Sequence, residues 1–129
     1  MSNFGALGVS GSALQVFRTW MDSVGDNIAN VNTIRGTNEE AFRARYVVAS
    51  SKENGGVAVS GIELGSAEGR LVYQPDHPLA DEDGMVRAPD VDLGDQMTQL
   101  MVAQRGYQAN LAVVDRARDA YLAALQIGR

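Results

Sequence analysis

The stretch from Asp92 to Ile127 constrains the fold more than any other part of the chain. Leu93, Met97, Leu100, Gln104, Tyr107, Leu111, Val114, Arg118, Tyr121 and Leu125 recur there at alternating spacings of four and three residues. That near-heptad period belongs to a helix packed along its whole length. A second stripe of Val102, Ala109, Val113, Ala117, Ala120 and Ala124 runs along another side, so more than one neighbour has to cover this helix. Pro89 ahead of it, Asp92 as an N-cap with Asp95 three positions on, and Gly128 behind it mark its ends. About 33 helical residues at 1.5 Å each make a rod of roughly 50 Å. A compact chain of 129 residues has a radius of gyration of only ~14 Å, so the rod outgrows the globule.

The N-terminal segment repeats the pattern on a smaller scale. Leu14, Phe17, Met21, Val24, Ile28 and Val31 follow the same alternation, which predicts a helix over residues 10–31. Ser12 with Gln15 reads as a capping box at its start. Asn30, Asn32 and Thr33 suit its end, because their side chains offer the backbone an alternative to helix. Residues 1–9 are rich in small residues and carry little helix signal. About 20 residues cover only roughly 30 Å of the longer partner. The apolar surface left over calls for another copy or a related chain.

Between the helices the period changes to two. Phe42, Ala44, Tyr46 and Val48 alternate with polar or basic residues, as do Val57 and Val59 after the Gly55-Gly56 turn. Leu71, Val72 and Tyr73 form a further short strand bounded by Gly69 and Pro75. Residues 76–90 are acidic, hold two prolines and read as an ordered loop or short hairpin. The fold class is therefore α+β: long N- and C-terminal helices (1–33 and 90–129) paired as an antiparallel, coiled-coil-like helical domain, with a small β-rich insert (34–89) between them.

Composition excludes most chemistry. The chain has no cysteine, which removes disulfides, thiolate nucleophiles and thiolate metal sites. Its single histidine, His77, rules out a two-histidine zinc site within one chain. The net charge is −5, and the eleven basic residues are scattered from Arg18 to Arg129, unlike a nucleic-acid binder. No apolar run approaches the ~18 residues of a membrane span. No basic residue precedes Arg18, so no ordinary signal peptide is visible.

The remaining candidates are weak. His77 with Asp76, Asp81, Glu82 and Asp83 is the one place for a small acidic metal-binding or hydrolytic module. The later ligands of a calcium loop are missing, and a solvated acidic turn with a positive φ at Gly84 is the plainer account. Gly8 to Ser12 approximates a nucleophile elbow but lacks its last glycine and the preceding strand. Phe17 and Trp20 read as packing residues. Gly106, costly in mid-helix by roughly 1 kcal/mol, suits close approach of a neighbouring helix. Gln104 and Arg118 either specify register between packed helices or sit at the edge of the stripe and reach water.

Particular words at both ends carry a resemblance. Ser10-Gly-Ser-Ala-Leu14, Asn27-Ile-Ala-Asn-Val-Asn-Thr33 and Arg105-Gly-Tyr-Gln-Ala-Asn110 resemble the axial proteins of the bacterial flagellum, the rod and hook family. Val31 stands where alanine is usual and Gly106 where serine is. Asn27, Asn30, Asn32, Thr33, Arg105, Tyr107, Gln108 and Asn110 are the matching positions. His77-Pro78-Leu-Ala-Asp-Glu-Asp-Gly84, followed by Met85-Val86 and Pro89-Asp-Val-Asp92, is similar to the proximal rod subunits rather than to the longer distal rod and hook proteins.

The resemblance implies a non-enzymatic structural subunit without cofactors. Such subunits pack with copies of themselves and with other rod subunits into a tubular drive shaft that transmits torque and encloses the export channel. It further implies export through the flagellar type III apparatus without a cleaved signal, contact with surrounding basal-body rings, and a location in the basal body. The expected packing seam sets Leu14, Phe17, Met21, Val24 and Ile28 against Leu100, Gln104, Tyr107, Leu111, Val114, Arg118, Tyr121 and Leu125. The alternatives are another rod subunit, a type III secretion rod adaptor, a generic coiled-coil adaptor, or the acidic module around His77.

Overall fold

The computed structural model describes residues 3–128. Its elements are α1 (Asn3–Ala29), β1 (Arg45–Ser51), β2 (Val57–Leu64), β3 (Arg70–Tyr73), β4 (Met85–Ala88) and α2 (Leu93–Ile127). This is the expected α+β arrangement of two terminal helices around a small antiparallel β insert. The α2 boundaries follow the local signals. The Asp92 side chain accepts a hydrogen bond from the Asp95 amide at 2.8 Å, and the Gly128 amide donates to the Ala124 carbonyl at 3.2 Å.

α1 departs from expectation at its start. It runs from Asn3 and is 27 residues long, about 40 Å at 1.5 Å per residue. Ser12 is therefore no cap. Its hydroxyl donates to the Val9 carbonyl at 2.7 Å and accepts from the Val57 amide at 3.1 Å, so a serine in mid-helix fastens β2 to α1. Residues 3–9, read as weak in helix signal, are helical. The end of α1 agrees with its sequence. Asn30 donates to the Asp26 carbonyl at 2.8 Å and accepts from the Thr33 hydroxyl at 3.1 Å, while Asn32 is exposed.

The helices are antiparallel. Asn27 meets Gln96, Trp20 meets Gln99, and Phe17 meets Gly106. α2, with 35 residues and about 52 Å of length, outreaches α1.

The insert consists of two hairpins. The first pairs Arg45 with Leu64 through to Ser51 with Val57, with a bulge at Val48/Ala49. It lies along α1, its base at Asn27 and its tip, where Gly55 and Gly56 have φ of 87° and 90°, against Val9 and Ser12. Phe42 and Ala44 precede the strand they were expected to join. Residues 41–44 instead run beside 65–67 through the bonds Ala41 N to Ala67 O and Gly65 N to Ala44 O, both 2.8 Å. The second hairpin pairs β3 with β4 in the register Arg70 with Ala88 to Tyr73 with Met85. β4 occupies part of the acidic 76–90 stretch, and Gly84 before it has φ of 74°. The buried side chains Val86 and Ala88 anchor this hairpin. Gly69 at φ 58° lets it close, since a Cβ there would lie 2.2 Å from the Ala88 carbonyl oxygen. Among the described residues no helix is long and apolar enough to cross a membrane.

Candidate functional site

The long helix pair is the dominant feature of the molecule, and its two faces differ. On α2, Gln96 and Ala103 are buried, while Gln99, Leu100, Gly106, Tyr107, Asn110, Val114 and Ala117 are half-buried. Of the four-three stripe, Leu100, Tyr107 and Val114 thus lie on the sheltered side. Leu93, Met97, Gln104, Leu111, Arg118, Tyr121 and Leu125 are exposed in the single chain. The alternate sheltered positions fall to the residue one place earlier: Gln96, Ala103, Asn110 and Ala117.

The shape of α1 explains the offset. Val24 is buried, Leu14, Met21 and Ile28 are half-buried, and the rings of Phe17 and Trp20 stack with centroids 6.0 Å apart. A Cβ on Gly106 would stand 2.4 Å from the Phe17 ring. Opposite the Phe17 ring α2 therefore places a glycine, and the small Ala103 on the same face is fully buried. The outward surface keeps the large apolar groups: Met97, Met101 and Val102 are each more than half exposed, at 54%, 55% and 51%. Leu111 and Leu122 lie with Met97 and Met101 along one side of α2, Val102 and Val113 flank another, and Leu125 is exposed where α2 outreaches α1. Exposed apolar groups of this extent mark an association surface.

The polar residue that links the two helices is neither Gln104 nor Arg118. Both are exposed, and Arg118 pairs within its own helix with Asp115 at 3.9 Å and Asp119 at 3.4 Å. Asn27 does this work instead. Completely buried, its amide nitrogen donates to Gln96 Oε1 at 2.9 Å and to the Arg45 carbonyl at 3.0 Å. Its oxygen accepts from the Arg45 amide at 2.8 Å. One side chain thus joins α1, α2 and the base of the first hairpin, with each of its polar atoms satisfied. The Arg45–Asp26 ion pair beside it, at 2.9 Å, is half exposed and adds little. Sequence reasoning missed Gln96, because a search for apolar periodicity passes over an amide. Its signal was positional: in the antiparallel register it faces Asn27.

The other motif residues are dispersed. Asn110 donates to the Gly106 carbonyl at 2.9 Å, Tyr107 is half-buried, and Arg105 and Gln108 are exposed. His77 is half-buried, its Nδ1 accepting from the Leu79 amide at 3.0 Å, and Pro78 is exposed beside it. Asp81 organises the same loop, accepting from the Asp83 and Met85 amides at 3.0 and 2.9 Å and from the Thr37 hydroxyl at 3.0 Å. These bonds, that from Met85 foremost, hold its carboxyl below the ordinary aspartate value of 3.8. Among the described residues no three His, Cys, Asp or Glu side chains converge on a point that could hold a metal ion.

Comparison with known proteins agrees with this geometry. Residues 82–127 match the family model for the C-terminal region of flagellar basal body rod FlgEFG proteins. The chain is 34% identical to the flagellar basal-body rod protein FlgC of Salmonella typhimurium, the match covering 94% of each chain. It is 35% identical to FlgC of Yersinia enterocolitica and 31% identical to that of Bacillus subtilis, over the full length of both chains in each case. A long helix pair with an uncovered outer band, in a chain with these relatives, is a structural rod subunit of the flagellar basal body. The asparagine that locks the pair and the loop before α2 lie within the span shared with these relatives. The chain belongs to the FlgC family of flagellar basal-body rod proteins.

Proposed function

We propose that this chain is a non-enzymatic subunit of the proximal rod, and that the outward band of α2 packs against neighbouring copies and other rod subunits. The observation that supports this is the uncovered apolar side of α2 formed by Met97, Met101, Leu111 and Leu122. Burying a large apolar side chain contributes about 1.5–3 kcal/mol, so a few together drive association. A head-to-tail contact between unlike faces generates an open helical array when its rotation does not close into a ring. In that array the helices transmit torque and surround the export channel. The parts divide as a discontinuous helical unit (1–33 and 90–129) and an insert (34–89) facing adjacent subunits or basal-body rings. Export through the flagellar type III apparatus, without a cleaved signal, belongs to the same reading.

Leu111→Asp tests it. The residue is exposed in the single chain, so the variant should fold and be exported but fail to enter rods. Normal rods built from Leu111→Asp protein would remove α2's outer band from the interface.

A further inference from the structure

Asn54 sits at the exposed tip of the first hairpin and is followed by Gly55. The six other asparagines precede Phe, Ile, Val, Thr, Glu or Leu, so this is the one Asn-Gly step in the chain. Glycine has no Cβ to keep its backbone nitrogen away from the preceding side-chain carbonyl, and Gly55 and Gly56 lie at φ of 87° and 90°, free of the restraint that a side chain imposes. The Gly55 amide donates to the Lys52 carbonyl at 3.1 Å, and residues 52–55 of this turn are all exposed, so the bond costs little to open. The geometry points to Asn54 as a site of spontaneous deamidation that releases the hairpin tip from α1.

The step needs water alone. The Gly55 nitrogen gives up its proton to solvent base and attacks Asn54 Cγ. The bond from Cγ to the side-chain nitrogen breaks, and ammonia leaves with a proton returned from solvent, giving a five-membered succinimide. Water then opens the ring. Attack at the Cγ carbonyl restores the normal backbone with aspartate at 54. Attack at the main-chain carbonyl sends the chain through Cβ as isoaspartate. The net change is one amide and one water converted to a carboxylate and ammonium.

The structural consequence follows from what the turn touches. The Cβ position of Gly55 is 3.7 Å from a Val9 methyl, and that of Gly56 is 2.6 Å from the Ser12 hydroxyl. The next residue, Val57, donates its amide to that hydroxyl at 3.1 Å. An extra backbone carbon in so tight a turn moves Val57 off Ser12. Aspartate on a normal backbone keeps the turn and adds only an exposed charge.

Full-length protein is aged at physiological temperature and mildly basic pH, and peptide mass spectrometry with isoaspartate detection follows each asparagine. Asn54 converts first, to mostly isoaspartate, with Asn38 as the exposed internal control, and Asn54→Gln blocks the conversion. Conversion at Asn54 no faster than at Asn38 overturns the assignment. Hydrogen exchange is then compared between the isoaspartate fraction and Asn54→Asp. The Val57 amide exchanges about tenfold faster in the former (~1.4 kcal/mol of local opening) and unchanged in the latter. Equal protection of Val57 in both overturns release of the tip.

Discussion

Phe17 lies over Gly106 so closely that a Cβ on the glycine would stand 2.4 Å from the ring. This approach brings α1 and α2 together near the middle of the pair, and Phe17 is in turn stacked on Trp20. Alanine at 106 would gain up to ~1 kcal/mol of helix propensity but overpack the seam, which typically costs 1–3 kcal/mol.

We expect Gly106→Ala to lower stability by about 1 kcal/mol net and Tm by a few degrees. Adding Phe17→Leu should recover part of the loss, since the two changes share one contact. Thermal melts of both single variants and the double variant check this. Additive losses would mean that the ring does not set the helix spacing.

Asn27→Ala should cost about 2–4 kcal/mol, because it leaves the buried Gln96 Oε1 and the part-buried amide and carbonyl of Arg45 without their partner. Denaturant melts give the loss, and hydrogen exchange at the Arg45 amide locates it. A loss below ~1 kcal/mol would show that water replaces the amide and that the junction is not the lock described above.

Asp81 should make the acidic loop sensitive to acid. Its carboxyl is held below 3.8 by hydrogen bonds, the Met85 amide first, so its contribution is present above that value and lost as pH falls through the lower folded one. Protection of the Met85 and Asp83 amides should therefore fall below about pH 4, and Asp81→Ala should abolish this pH dependence. Unchanged protection in acid would mean that the turn holds without the charge.

His77→Ala should leave motility intact, because the imidazole accepts its hydrogen bond from the Leu79 amide of its own loop. A motility plate assay decides it. Loss of motility with normal protein levels would give the ring a role in assembly.

Much of the fold was legible in local signals. Asp92, with Asp95 three places on, marked the start of α2, and Gly55, Gly56 and Gly84 marked turns that do take positive φ. Asn30 and Thr33 marked the end of α1. Its beginning was not legible, because Ser12, a cap by residue type, is recruited by Val57 from 45 residues away. The first strand starts at Arg45 rather than Phe42, because Ala41 and Ala44 pair across to Ala67 and Gly65 in an irregular crossing.

By itself, the amino-acid order determined that there would be two long helices, where α2 begins and ends, and that large apolar groups recur along it. All of these rest on spacing within one segment. Tertiary structure alone decided which row of α2 turns inward. Periodicity sets the separation of side chains along a helix, but its rotation about its own axis answers to the shape of its partner. The rings of Phe17 and Trp20 and the amide of Asn27 accept Gly106, Ala103 and Gln96 on that side. Met97 and Leu111, one residue beyond Gln96 and Asn110, are left facing outward.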